Sequence, residues 1–153
     1  MNEELLYGIS PEQAFRVASQ MVLPGWILIM VLPRWIGTKW VVYYGLIPAL
    51  LAGIYLAIIA PVVMKGGLQL SDFGSLAGVE KLFTNHWVVV AGWVHYCAFD
   101  LWTGAWEVRD AGRTGVPHVL VIPCLGLTFL FGPVGLLAYF VLRLVVTRRL
   151  EID

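Results

Sequence analysis

The sequence has few charged residues for its length. Of its 153 residues, 10 are lysine or arginine and 10 are aspartate or glutamate, so 13% are charged and 59% are hydrophobic. A soluble domain is nearer a quarter charged. The composition therefore predicts a membrane protein. The formal net charge is zero, and without a basic surface nucleic acid is not expected as a partner.

Cysteine and histidine are also scarce, with 2 cysteines and 3 histidines in the chain. Cys97 and Cys124 fall inside predicted helices, where cysteine most often packs as a small apolar residue. They therefore do not indicate a redox compartment. Three histidines are too few for the histidine-rich di-iron enzymes of membranes, and no cofactor is predicted.

Long runs without an ionised side chain dominate the rest. There are 25 such residues between Lys39 and Lys65 and 29 between Arg113 and Arg143, and a spanning helix needs about 20. Two less uniform segments also qualify. The prediction is an all-α integral membrane protein with one membrane domain over residues 1–153. It has four transmembrane helices in a bundle at about 11–32, 40–64, 86–110 and 117–146, with an interfacial segment at about 71–83.

The predicted third and fourth helices are separated only by the short, glycine-bearing "AGRTG", so we expect an antiparallel hairpin. Four spans would bring both termini to one side. Six basic residues are then predicted on the side of the termini and four on the other, which places the termini in the cytoplasm. The six basic residues are Arg16, Lys65, Lys81, Arg143, Arg148 and Arg149, and the four are Arg34, Lys39, Arg109 and Arg113.

No plastid transit peptide is recognisable, so a multi-pass protein of a bacterial inner membrane is expected.

The third predicted helix carries a polar stripe. Residues three, four and seven apart share a helix face, and here that face bears Tyr96, Asp100, Thr103, Glu107 and Asp110. An aspartate in mid-membrane costs roughly 2.5 to 3.5 kcal/mol and is a functional candidate by default. The structural alternative for Asp100 is a buried hydrogen bond to Tyr96 or to Thr128 in the next helix.

Folding the hairpin about its turn predicts which groups face the stripe. His118 is expected near Glu107, and Cys124 or Thr128 near Asp100. Pro123 and Pro133 cannot donate backbone hydrogen bonds, so the fourth helix should offer spare carbonyl acceptors and could kink.

A long motif in this region, "HYCAFDLWTGAWEVRDAGRTGVPHVLVIPCLGLTFLFGPVGLLAY", resembles the signature of the abscisic-acid-deficient-four-like family, which consists of small four-helix membrane proteins. The preceding "DFGSLAGVEKLF" is similar to the loop of that family. Plant members are required to make neoxanthin from violaxanthin, an isomerisation that opens an epoxide end group. The resemblance implies a role in carotenoid biosynthesis and carries over the motif residues His95, Asp100, Trp106, Glu107, Arg109, Asp110 and His118.

Three hypotheses remain open at this stage. The first is acid–base isomerisation of a carotenoid or other isoprenoid, with a protonated Asp100 as acid and His95 or Glu107 as base. The second is a non-catalytic lipid-binding or accessory scaffold protein. The third is a metal-dependent lipid-modifying enzyme using Asp100, Glu107, Asp110 and a histidine.

The predicted partners are a lipid-soluble substrate and the membrane, and the oligomeric state is left open. The predicted catalytic residues are His95, Asp100, Glu107, Asp110 and His118, with Tyr96, Thr103, Trp106, Arg109 and Thr128 as substrate-binding residues.

Overall fold

The computed structural model describes residues 6–148, which form helices joined by turns. Arg149, one of the residues in the charge tally, lies outside this range. A π-helical turn at Lys39–Tyr43 links α2 to α3, and a 3-10 turn at Leu70–Gly74 precedes α4. The helices are α1 (Pro11–Val31), α2 (Ile36–Thr38), α3 (Leu46–Met64), α4 (Leu76–Leu82), α5 (His86–Thr114), α6 (His118–Phe131) and α7 (Pro133–Thr147).

Local sequence signals explain where the long helices begin and end. At the start of α1, the Ser10 hydroxyl accepts from the backbone of Gln13 while the Gln13 side chain accepts from the backbone of Ser10. This reciprocal capping satisfies two backbone donors that a helix start leaves free. At the start of α5, the Asn85 side chain accepts from the backbone N–H of Trp87, which satisfies one such donor. Helix α5 ends at Thr114, four residues later than the predicted end at residue 110, and Gly115 caps it in a left-handed conformation that favours glycine.

Helix α5 lies at the centre and packs against α1, α3, α6 and α7. Helix α1 runs alongside it in the same direction, because the ring of Phe15 lies 5.0 Å from that of Trp93 and Trp26 packs where Gly104 leaves room. Helix α3 runs in the opposite direction, from beside Trp102 at its start to His95, whose ring lies 5.9 Å from that of Tyr55.

The predicted continuous fourth helix is wrong. The chain breaks at Gly132, whose φ of 39° and ψ of −91° are not helical, and α7 folds back against α6. Gly132 lies beside Asp100, whereas Arg143 is bonded to Asp110, so α7 runs in the same direction as α5. The physical reason is the Gly132–Pro133 pair: the proline cannot donate to the preceding turn, and the glycine adopts a conformation unfavourable for other residues.

This hairpin of α6 and α7 also changes where the chain ends lie. Phe15 is level with the start of α5 and Arg143 with its end, so Pro11 and Thr147 lie at opposite ends of the bundle. The prediction that both ends face one side is therefore wrong for the described residues. Three described basic residues lie towards the start of α5 and six towards its end. The three are Arg16, Lys65 and Lys81, and the six are Arg34, Lys39, Arg109, Arg113, Arg143 and Arg148.

Two helical stretches in the described part of the chain are long and apolar enough to cross a membrane, Pro11–Val31 and Ile36–Met64. Helices α6 and α7, with 14 and 15 residues, are each shorter than the roughly 20 residues a crossing needs. Many large apolar side chains are exposed on the outside of the bundle, among them Ile27, Leu56 and Leu137. This pattern fits association with a membrane.

Candidate functional site

A cavity of about 310 Å³ opens between α1, α5 and α6. Its walls are mainly apolar and aromatic, and Asp100 is the one acidic side chain among the described residues that line it. Pockets of this size and character are typical of sites for small apolar ligands. The lining residues are Ser19, Val22, Leu23, Trp26, Trp93, Tyr96, Cys97, Asp100, Phe129 and Leu130.

Asp100 lies against the turn where α6 ends and α7 begins. A Cβ atom added to Gly132 would be 2.7 Å from Asp100 Oδ1, so only glycine lets the carboxyl group approach the backbone this closely. The Tyr96 hydroxyl is beside the same carboxyl group. Asp100 Oδ2 is buried and has no hydrogen-bond partner among residues 6–148. The N-terminus of α7 lies beside the Asp100 carboxyl group and favours negative charge there. Asp100 Oδ2 is therefore an acceptor that a ligand could use.

Glu107 lies two helical turns beyond Asp100 on the same side of α5. It is 0% exposed, and its Oε1 is 2.8 Å from the hydroxyl oxygen of Thr128 on α6. The same hydroxyl lies 3.0 Å from the backbone carbonyl oxygen of Cys124. Glu107 Oε2 is buried, and no described residue offers it a hydrogen bond. Glu107 and Thr128 thus form a buried pair behind the cavity and do not line it.

Asp110, which was predicted to be catalytic, is surrounded by hydrogen-bond donors of the protein itself. Its Oδ2 accepts from the Tyr139 hydroxyl at 2.5 Å and from Arg143 Nε at 2.7 Å, and its Oδ1 lies 3.4 Å from Arg113 Nη2. Asp110 is 0% exposed and Arg143 is 3% exposed. Within the described residues, the structure therefore places Asp110 in a buried ion pair that fastens α7 to α5, away from the cavity.

Neither predicted catalytic histidine reaches the cavity. His95 is exposed, with its ring stacked 4.5 Å from that of Phe99. His118 Nε2 donates to the Met30 carbonyl at 2.9 Å, so it contacts the end of α1 and not Glu107 as expected. This contact joins the start of α6 to the end of α1, while further along the chain Thr128 contacts Glu107 and Gly132 lies beside Asp100.

The remaining predicted binding residues are dispersed. Thr103 is half-buried on α5. Trp106 packs edge-on against Tyr139 and Phe140, with ring centroids 5.6 and 5.7 Å away. The Arg109 guanidinium lies over the rings of Tyr43 and Trp102, 6.0 and 5.6 Å from their centres. Of the ten predicted residues, the structure brings Asp100 and Tyr96 to the cavity and Glu107 and Thr128 behind it.

The ligand set of the metal hypothesis is not brought together. In residues 6–148, no three histidine, cysteine, aspartate or glutamate side chains are close enough to share a metal ion. Asp110 is instead bonded to Arg143. His95 stacks on Phe99, and His118 contacts the Met30 carbonyl.

Several cavity residues could not be identified from the polar stripe alone. Ser19 and Trp26 come from α1 and Phe129 from α6, and an apolar side chain in an apolar helix gives no signal of a ligand site. The Ser19 hydroxyl accepts a hydrogen bond from Trp93 Nε1 at 2.8 Å, a contact between α1 and α5 at the cavity wall. Gly132 did have a signal, because a Gly-Pro pair marks a turn.

The sequence model of the ABA DEFICIENT 4-like family matches residues 13–139. This covers most of the 153 residues, and the chain belongs to that family. Membership relates it, at the level of the family, to proteins of neoxanthin synthesis. No match was found among curated proteins or among solved structures.

Proposed function

We propose that this protein is a multi-pass membrane protein that takes the ring end of a carotenoid or a related isoprenoid into the Asp100 cavity. The observation that carries the proposal is the unpartnered Asp100 Oδ2 in an otherwise apolar, aromatic-lined cavity. A buried polar atom without a partner is costly. A ligand hydroxyl would satisfy an ionised Asp100, and an acceptor such as an epoxide oxygen would satisfy a protonated Asp100. The long apolar remainder of the ligand would lie along the exposed apolar surface in the lipid.

The proposed reaction is acid–base isomerisation of an epoxide end group. A protonated Asp100 gives its proton to the epoxide oxygen as the C–O bond opens. A proton then leaves the neighbouring polyene carbon and returns to the Asp100 carboxylate, so the product is an isomer and the acid is regenerated. No electron is gained or lost and no nucleotide is needed. Tyr96, whose hydroxyl is beside the same carboxyl group, is the second group able to relay a proton.

Glu107 is proposed as a positioning residue. The Thr128 hydroxyl has one proton but two close acceptors, the Cys124 carbonyl at 3.0 Å and Glu107 Oε1 at 2.8 Å. A protonated Glu107 resolves this conflict by donating to Thr128 while Thr128 donates to Cys124. Glu107 would then fasten α6 to α5 behind the cavity as a neutral group, and so hold the Gly132 turn against Asp100.

The second candidate function is binding without chemistry. It is favoured by the absence, among the described lining residues, of a second ionisable carboxyl or histidine beside Asp100. In this case Asp100 would only anchor a ligand hydroxyl, and an amide in its place would serve nearly as well.

The distribution of basic residues supports one orientation in the membrane. Cytoplasmic ends of membrane proteins carry an excess of lysine and arginine, and the end of the bundle where α5 terminates has six of the described basic residues against three. We therefore place the Thr147 end in the cytoplasm and the Pro11 end on the opposite side.

The test is pigment analysis, by chromatography with mass detection, of a host that makes epoxy-carotenoids. The host expresses the wild type, Asp100→Asn or the matched control Glu80→Gln, in which an exposed carboxylate becomes an amide, all at equal membrane levels. Isomerisation predicts a new species of unchanged mass with the wild type and the control, and none with Asp100→Asn. Pigment that co-purifies unchanged with all three proteins would establish binding and refute catalysis.

A further inference from the structure

A second cavity, of about 430 Å³, lies at the end of the bundle where α5 terminates. It is formed by the chain after α1, the π-helical turn, the last turns of α5 and the first residues of α6. Unlike the Asp100 cavity, it has a strongly polar wall. The lining residues are Pro33, Arg34, Lys39, Tyr43, Val108, Arg109, Ala111, Gly112, Gly115, Val116, Pro117 and His118.

The polar part of this wall has one sign of charge. Arg34, Lys39 and Arg109 are cationic, and none of the described lining residues is acidic. The nearest carboxylate along α5, that of Asp110, is fully buried and bonded to Arg143, so it does not neutralise the cavity. Three cations around one cavity repel each other, and a bound anion would remove that repulsion.

The cations are held in different ways. The Arg109 guanidinium is held over the rings of Tyr43 and Trp102 and donates from Nε to the Ala105 carbonyl at 3.3 Å. Its terminal nitrogens are thereby presented at a fixed place, as in sites that recognise planar or tetrahedral oxyanions. Arg34 and Lys39 are exposed and can close over a ligand from the side of the solvent.

The start of α6 faces the same cavity. Its N-cap residue is Pro117, which provides no side-chain cap, so the first backbone N–H groups of this 14-residue helix are not capped by a side chain. Such groups, with the helix dipole, favour an anion. The ring of His118 is oriented by its bond to the Met30 carbonyl, which fixes one wall of the cavity.

From this cavity we infer a binding site for a phosphate group, held by Arg109, Arg34 and Lys39 beside the start of α6. The phosphate can belong to the headgroup of an anionic phospholipid or to a free phosphate. The inference does not depend on the proposed isomerase function, because the two cavities share none of their described lining residues. Failure of either proposal leaves the other intact.

The test measures the thermal unfolding midpoint of the full chain in detergent during titration with two probes. One probe is inorganic phosphate, with chloride at matched ionic strength. The other is phosphatidylglycerol in mixed micelles, with phosphatidylcholine as the neutral lipid. A ligand that binds the folded state raises the midpoint with its concentration. Arg34→Gln is compared with Arg16→Gln, since both remove one exposed arginine and only the first lines the cavity.

We expect saturable stabilisation of the wild type and of Arg16→Gln, and roughly tenfold weaker apparent affinity for Arg34→Gln, as expected for loss of one charge-assisted contact. The combined variant Arg34→Gln/Lys39→Gln should lose saturation. Stabilisation by phosphate alone would identify a free phosphate, and stabilisation by phosphatidylglycerol alone would identify a lipid headgroup. If neither probe stabilises the wild type, or if Arg34→Gln and Arg16→Gln respond equally, the phosphate site is refuted.

Discussion

Asp100 and Asp110 lie on the same helix, both face α7, and differ in how their oxygens are satisfied. Asp110 receives hydrogen bonds from Tyr139, Arg143 and Arg113. Asp100 borders a cavity and has one buried oxygen without a partner in the described part of the chain. The first carboxylate fastens α7 to α5, whereas the second is available to a ligand.

The comparison separates two reasons for an acidic residue in an apolar helix. A buried carboxylate that has its own arginine contributes to structure, and removing one partner leaves an uncompensated charge. A carboxylate without such a partner is costly until something binds it, and is the better candidate for function. The following predictions test this division, from the largest expected effect to the smallest.

Breaking the Asp110 ion pair should have the largest effect. Arg143→Met leaves the Asp110 carboxylate buried without its main partner, and we expect a loss of about 3–5 kcal/mol in the free energy of unfolding. Thermal unfolding in detergent measures it. The double variant Asp110→Leu/Arg143→Met, which leaves no isolated charge, should recover a large part of the loss. Equal instability of both variants would contradict an ion-pair role.

Asp100→Asn should affect chemistry and leave stability nearly unchanged. Loss of the proposed proton-transfer group is expected to lower isomer formation by about 100-fold or more, while the thermal midpoint stays equal to that of wild type. The readout is the amount of isomer per unit of membrane protein, with Glu80→Gln as control. If Asp100→Asn unfolds as readily as Arg143→Met, the carboxyl group is structural.

Gly132→Ala should damage the contact between the turn and Asp100. The added Cβ meets Asp100 Oδ1 at 2.7 Å and the backbone is in a region that disfavours alanine, so a loss of about 1–3 kcal/mol is expected, together with reduced ligand affinity. Gly126→Ala is the matched control on α6, because among the described residues nothing beyond the local helix backbone lies within 4 Å of an added Cβ there. That control should be neutral or stabilising. Identical behaviour of the two variants would exclude a special role for Gly132.

Thr128→Val should remove the hydroxyl between Glu107 and Cys124 and keep the shape of the side chain. A loss of about 1 kcal/mol in unfolding free energy is expected, with Thr128→Ser close to wild type because the hydroxyl is retained. Denaturant or thermal unfolding in one detergent compares the three proteins. A serine variant no better than the valine variant would show that shape, and not the hydrogen bond, matters at this position.

His95→Phe should have the smallest effect. His95 is exposed and stacked on Phe99, and another aromatic ring can replace it, so changes in stability should be within about 0.5 kcal/mol and isomer formation should be unchanged. A large loss of activity, measured in the same pigment assay, would return His95 to the list of catalytic candidates.

The helices were predictable because hydrophobic runs and capping residues act locally. The capping box at Ser10 sets the start of α1 through contacts within three residues along the chain, whereas α5 runs four residues past its predicted end at residue 110, up to Gly115. The break at Gly132 was missed because the apolar run continues through it, and periodicity alone does not show that a helix stops and folds back. The wrong placement of the chain ends followed directly from that omission.

The site was predictable only in part, for a similar reason. Helical periodicity correctly placed Asp100 and Glu107 on one side of α5. It could not show that Asp110, on the same stripe, is bonded to Arg143, because that partner lies 33 positions away on a helix that folds back. It also could not assign His118 to Met30, a contact 88 positions apart. Long-range partners decide which member of a polar stripe is available to a ligand.

The most direct test of the central claim, that the Asp100 carboxyl group is the ligand-binding group of the cavity, is a binding titration. An epoxy-carotenoid is added to purified protein in detergent, and quenching of tryptophan fluorescence is recorded, because Trp26 and Trp93 line the cavity. We predict saturable quenching for the wild type and roughly tenfold weaker binding for Asp100→Leu, from loss of one buried polar contact. Equal affinity of the two proteins would contradict the account.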